Sequence, residues 1–503
     1  MSTLATVYST LYHELETRWP ILAATAVTLL AALVLPGLFR PNPLADVPII
    51  GDGRKNFMNG GGWKLYIDGY NKSPVLVLSP NFLPELKKLG DEYVSFNKAI
   101  EESMQVKYTG LDADVPSLPH TIKTALTPAL VRLNPTISDE VEEAMRLELP
   151  QKGSWSEVNI NSKLLRIVAM ASGRIFVGPE LCRDEAYLDA AINYTVDLMT
   201  AVHLVAFTPV WLRPIVASFL PQIRKLKTRV QQADDFLRPV VAARRKAAQD
   251  PGYQKPDDML QWIIDSQQKF GEKDDKELAK NQLAVSFAAI HTTTLTTTNA
   301  SFYTLAAKPE IVPMLREDVQ QALAESGGAF TNIAMQNMKK LDSFLKEVVR
   351  FYPLSAGSFQ RKVLKPFTLS SGQRVPAGVI VEVAQGGVNF DDDIHERAHE
   401  FDALRYYKLR MAKGEAGSGA RAAEVVANSQ FVSVGTSSLT FGYGRHACPG
   451  RFFAVNEIKM IVATALLHYD MKNVDGHPER YPNRQIGIQN VPDPSKTIMM
   501  RKL

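Results

Sequence analysis

The sequence predicts a mainly α-helical protein with small β-sheets, carried behind a single N-terminal transmembrane helix. Three observations predict it. No charged residue lies between Trp19 and Phe39, and about 20 such apolar residues cross a bilayer as a helix. From Asn81 to Phe351 apolar residues recur largely with the helical period. Alternating, β-branched stretches are confined to the flanks, at 63–78, 359–384 and 470–502.

The apolar run organises the N-terminus. Residues 1–18 are polar, with Glu14 and Glu16, and read as a luminal segment; residues 19–39 read as the anchor. A cleaved signal peptide is the alternative, but its positively charged start is missing. Arg40, Arg54 and Lys55 follow the run, so the positive-inside rule puts the body in the cytosol. Pro41, Pro43 and Pro48 mark a stiff hinge over 40–50. Residues 51–503 contain no linker or repeat and read as one large domain.

Within that domain the patterns predict helices at 81–89, 118–133, 136–148, 159–177, 184–205, 222–248, 258–268, 276–307, 309–325 and 341–351, with another from Arg451 to about Tyr469. The segment Phe207–Val216 is an apolar, proline-broken link, either a loop packed on the core or a surface element.

Bulk composition narrows the function. The 503 residues are 45% hydrophobic with a net charge of +4, a charge too diffuse to indicate nucleic acid. Only Cys182 and Cys448 are present, which excludes a disulfide framework or a cysteine-rich zinc site. Cys182 reads as a packed thiol.

Cys448 is different because of its surroundings, Phe441-Gly442-Tyr443-Gly444-Arg445-His446-Ala447-Cys448-Pro449-Gly450. Glycines allow tight turns and close backbone approach to a flat ligand. The thiol just precedes a helix, whose N-terminal dipole favours a thiolate. The stretch meets every fixed position of F-x-x-G-x-R-x-C-x-G, at Phe441, Gly444, Arg445, Cys448 and Gly450. It resembles the haem-binding loop of the cytochrome P450 family.

The resemblance implies haem b, iron protoporphyrin IX, with Cys448 as the axial ligand of the metal. It implies that Glu347 and Arg350, an E-x-x-R pair, join Arg405 in a buried structural network. The run Ala288-Ala289-Ile290-His291-Thr292-Thr293-Thr294 resembles the helix that crosses the distal haem face and bulges there. Thr292 falls on the threonine that handles dioxygen and protons, and His291 falls where an acid is usual, so both are candidate catalytic residues. Arg445, Arg361 and either His120 or Lys123 are candidates for the haem propionates. Phe287, Leu354 and Ile488 are candidate substrate contacts. The link at 207–216 would be a second membrane contact.

The implied protein is a monooxygenase in the endoplasmic reticulum membrane, single-pass, with its catalytic domain cytosolic. It would use O2 and electrons from NADPH–cytochrome P450 reductase to oxidise an apolar small molecule. Wording around Thr292 resembles fungal enzymes of terpenoid secondary metabolism. Desaturation, ring rearrangement or multi-step oxidation is the alternative outcome, and a non-catalytic haem-binding membrane protein is the alternative class.

Overall fold

The computed structural model describes residues 18–21, 23–25, 27–28, 75–270, 275–414, 420–486 and 488–503. The described residues between 18 and 28 are helical and exposed. The rest of the expected anchor, the hinge and the strand at 63–67 lie outside the described residues.

The body is built around long helices. After β1 (Val75–Leu78) and β2 (Val94–Ser95) come α1 (Phe96–Ser103) and α2 (Thr127–Glu148). Then follow β3 (Ser156–Val158), α3 (Ile160–Phe176), α4 (Glu185–Phe207), α5 (Arg213–Phe219) and α6 (Pro221–Ala247). Next are α7 (Met259–Phe270), α8 (Asp275–Thr296), α9 (Val312–Ala324) and α10 (Lys339–Phe351). β4 (Gly357–Val363) and β5 (Ile380–Ala384) precede α11 (Arg405–Gly414), α12 (Ala420–Asn428) and α13 (Arg451–His468). The chain ends in β6 (Tyr469–Asn473), β7 (Arg484–Ile486), β8 (Gln489–Val491) and β9 (Ile498–Lys502).

Helix caps follow the sequence. Asn159 accepts from Ser162 N at the start of α3, and Asp184 accepts from Ala186 N and Tyr187 N at the start of α4. α3, α8 and α13 carry many fully buried apolar residues, including Leu164, Ile167, Ile290, Ile458 and Ile461, and pack on one another in the centre of the core. α4 is the one described helix long and apolar enough to cross a membrane, but half of that stretch is buried in the body.

The sheets sit at the periphery. One has strand order β1-β5-β4-β2, with β1 parallel to β5 (Val75 opposite Ile380) and β4 antiparallel to it. The pairing slips between Ser358 and Arg361, where Phe359 takes a left-handed φ of 58°. The second sheet is β3-β9-β6, and β7-β8 is a separate hairpin.

Three expectations need correction. The predicted break between 133 and 136 is absent, because α2 runs through Pro135. A proline frees the carbonyl four residues before it, and here that residue, Val131, lies on the exposed face, where water is available. The predicted single helix over 276–307 is interrupted by a π-turn at Thr297–Phe302. Thr296 and Thr297 hydroxyls donate to the carbonyls of Thr292 and Thr293, and such back-bonding loosens the ladder. The expected bulge at Thr292 is therefore not found there; it follows five residues later. Finally, the link at 207–216 contains α5.

Candidate active site

The cysteine loop is shaped by its glycines. Gly442 and Gly444 both have φ of +75°, a region that side chains rarely adopt. Cys448 N donates to Phe441 O at 2.8 Å and closes the loop. α13 starts at Arg451, so the backbone N–H groups of Gly450 and Arg451 lie at the helix start beside Cys448 and favour its thiolate. Burial raises the thiol pKa; those two amides and the Arg451 charge oppose it without prevailing. The sulfur is thus a half-buried thiol at a helix start that favours its thiolate form. A metal cation against it would tip that balance, since the thiolate is the ligating form.

Beside the loop lies a cluster of cations. Arg361 is 5% exposed, and the register slip in β4 sets its guanidinium 4.2 Å from the Phe359 ring centre and 5.2 Å from that of Phe96. Its Nη1 donates to Gln360 O at 2.7 Å. Burial pushes its pKa down to about 10, Asp91 opposes this and Arg445 adds to it. Arg445 pairs with Asp91 at 3.1 Å, and His446 Nε2 is 3.1 Å from the same carboxylate while its ring stacks on Phe96. Arg361, Arg445 and His446 line one small cavity with Phe359, Tyr443 and Gly444. A buried arginine with no carboxylate bonded to it among the described residues fits a group that brings its own carboxylates. Cys448, Phe441, Gly444, Gly450, Arg361 and Arg445 therefore suit haem.

His120 and Lys123 do not join this cluster. Lys269 Nζ lies 3.1 Å from His120 Nε2, and Phe270 meets the ring edge-on, so α7 holds the imidazole. Lys123 is exposed on a π-turn over Ile122–Leu126. His446, which the sequence reading passed over because its position in the loop pattern is variable, is the group brought to Arg445 instead.

On α8, Ala288 and Thr292 are exposed while Ile290, Thr293 and Thr294 are buried. This i, i+4 pair forms an open stripe on the second half of the helix. Thr292 Oγ1 donates to Ala288 O at 2.7 Å. His291 is turned away from the stripe. Its Nε2 lies 2.9 Å from Ile192 O on α4, so that nitrogen carries the proton. Burial lowers its pKa and the ring is neutral, with the Ile192 bond opposing in part. Successive helix residues point about 100° apart, which is why neighbours in sequence face different surroundings. Phe287 shares the His291 face and packs in the core, away from Thr292. Leu354 and Ile488 are brought close by backbone bonds, Asn490 N to Leu354 O at 2.9 Å and Ala356 N to Ile488 O at 2.7 Å.

Glu347, Arg350 and Arg405 meet in the interior. Arg350 grips Glu347 through two bonds of 2.8 and 2.7 Å, and Arg405 Nε reaches both carboxyl oxygens at 3.2 and 3.1 Å. The two arginines also bind the carbonyls of Ala398 and Glu400, which anchors the segment leading to the cysteine loop. A second buried network went unseen in the sequence. Asp342 accepts from Lys459 Nζ and Phe431 N, both at 3.0 Å, and pairs with Arg410. Burial raises its pKa, but Lys459 and Arg410 outweigh this and the net shift is downward. Lys346, next to Glu347, donates to Asn428 O and Gln430 O, and burial pushes it down to about 7. Cys182 is buried, with its pKa raised to about 11 by burial.

The chain matches the family model described as "Cytochrome P450" over residues 71–499. It is 40% identical over 432 residues to cytochrome P450 monooxygenase ATR3 of Stachybotrys chlorohalonatus, covering 86% of this chain and 89% of that one. It is 34% identical over 499 residues to cytochrome P450 monooxygenase braC of Annulohypoxylon truncatum, covering 95% and 97%. The fold resembles that of the retinoic acid-bound cyanobacterial CYP120A1, with a TM-score of 0.62, 17% identity, and coverage of 86% and 90%. With haem-suited residues gathered at Cys448 and this likeness over nearly its whole length, the chain belongs to the cytochrome P450 family and is a cytochrome P450 monooxygenase.

Proposed function

We propose that this enzyme is a membrane-anchored monooxygenase of fungal secondary metabolism, holding haem b and oxidising an apolar, terpenoid-type small molecule. The observation that carries the haem-thiolate reading is the closed glycine loop, tied by Cys448 N to Phe441 O at 2.8 Å, which sets the thiol just ahead of the α13 N-terminus. Relatives that are fungal cytochrome P450 monooxygenases support the setting. Bound haem supplies dioxygen activation, with electron push from the thiolate.

The chain's own residues hold and orient. Cys448 would hold the haem iron through its sulfur, Arg361 and Arg445 would pair with the carboxylates that haem brings, and the rings of Phe96 and Phe359 shield Arg361. Thr292 Oγ1 presents a hydroxyl on the open stripe it shares with Ala288, where it passes protons and orients substrate oxygen chemistry. His291, tied to Ile192, supports the helix and does not relay. Leu354 and Ile488 form part of the substrate wall. Glu347, Arg350 and Arg405 position the cysteine loop.

Electrons come from NADPH–cytochrome P450 reductase, and the enzyme resides in the endoplasmic reticulum with its body cytosolic. Residues 19–39 form the anchor. A second contact is supported by Phe207, Val210, Trp211, Ile215 and Phe219, all exposed on and around α5, a patch that suits an acyl surface. The sulfur–iron bond is tested by reducing the purified full chain under carbon monoxide. Wild type gives the red-shifted Soret band of a thiolate haem, and Cys448→Ala loses it; a band that survives the substitution overturns the assignment. Labelled dioxygen then separates hydroxylation, which keeps the label in product, from desaturation, which does not.

A further inference from the structure

Glu457, nine residues beyond the cysteine, is fully enclosed on α13. Ser172 Oγ on α3 donates to its Oε1 at 2.7 Å. The hydroxyl of Thr293, on α8 packed against α13, is buried next to this carboxyl. Neither Glu457 Oε2 nor Thr293 Oγ1 has a hydrogen-bond partner among the described residues. Among the described residues no lysine or arginine charge acts on this carboxyl, and the titratable group beside it is Tyr187 of α4. An unpaired carboxylate in such a place is far more costly than a neutral acid. Burial raises its pKa to about 8, with Ser172 and Thr293 opposing. Ser172 occupies Oε1 as a donor, so the acid proton belongs on the unpartnered Oε2.

We infer that Glu457 is a neutral cross-brace: its carboxylic acid accepts from Ser172 and donates to Thr293, and so fixes α8 to α13. Thr293 directly follows Thr292, and α13 begins three residues after Cys448. The brace therefore sets the spacing between the threonine hydroxyl and the sulfur, a role that rests on the function proposed above. Glu457 is a positioning residue, acting through the two helices it joins.

The test uses the purified full chain and two readouts. In the infrared difference spectrum of wild type minus Glu457→Gln at pH 7, a protonated-carboxyl C=O stretch is expected, and Thr293→Val shifts it. Absence of that band, or a band indifferent to Thr293→Val, overturns the brace whatever the enzyme's activity. In turnover, Glu457→Leu and Thr293→Val each lower product formed per NADPH by about two- to tenfold, and the double variant is no worse than the poorer single one. Glu457→Gln, which keeps one donor and one acceptor, and Thr293→Ser stay near wild type. Loss in Glu457→Leu with an unaffected Thr293→Val also overturns the brace and leaves a packing role. A wild type lacking the thiolate Soret band defeats the haem reading separately, because the infrared result does not depend on it.

Discussion

His291 Nε2 donates to the Ile192 carbonyl oxygen across 2.9 Å, tying α8 to α4 and leaving the Thr292 hydroxyl beside Ala288 on the open stripe. The two neighbours should then behave differently on substitution. Thr292→Ala is expected to uncouple the enzyme, with NADPH consumed and peroxide released while product falls about ten- to a hundredfold. His291→Asn, which loses only a helix tie, should lower product per NADPH less than threefold, on the order of one ordinary hydrogen bond. Peroxide and product measured in the same reaction decide it. Equal uncoupling by both variants would restore a relay role to the imidazole.

Glu347, fully buried, faces two guanidinium groups. Glu347→Gln leaves both arginines without a buried counter-charge, at a cost of about 3–5 kcal/mol. Urea unfolding of the full chain should show the lower midpoint, and haem retained after gel filtration should fall with it. A variant with a wild-type midpoint would mean that the carbonyl bonds of Arg350 and Arg405 hold the segment on their own.

His395 sits beside this network, buried and edge-on to the Tyr406 ring. Burial, then the charges of Arg350 and Arg405, push its pKa down to about 4 from an ordinary 6.5. A folded pKa below the unfolded one means that the unfolded chain takes up the proton first. The stability this neutral ring contributes is present above pH 6.5 and lost as pH falls towards 4. His395→Phe cannot titrate, so its urea midpoint should fall less steeply than that of wild type between those limits.

Trp211 is half exposed beside Val210 and Ile215. If this patch enters the bilayer, brominated acyl chains should quench part of the tryptophan fluorescence of the vesicle-bound full chain. Trp211→Phe should remove that part. Quenching that is identical in the variant would assign all of it to other tryptophans.

What the sequence displayed was whatever lies close together along the chain. Ten consecutive residues announce the cysteine loop, and the i, i+3 spacing of Glu347 and Arg350 announces their pairing. Asp342 gave no such signal, since its partners Arg410 and Lys459 stand 68 and 117 positions away. Pro135 misled for a related reason, because only folding decides that Val131 faces solvent. The direction of His291 was equally hidden, since a threonine-rich helix shows no clear apolar stripe to orient it. His446 was legible as a residue but not as a participant, and it is α1, through Phe96, that gives it a place.

The left-handed turn at Phe359 has a consequence for how the enzyme tolerates change. A side chain in that conformation stores about 1–3 kcal/mol, and glycine would release it. Glycine would also delete the aromatic floor on which the Arg361 guanidinium rests. Phe359 is also a buried member of the core at β4, and losing such a ring costs about 3–5 kcal/mol, more than the turn stores. The Phe359→Gly protein should therefore melt below its parent and part with its prosthetic group sooner: the chain keeps an awkward backbone angle because the ring it carries is worth more than the relief.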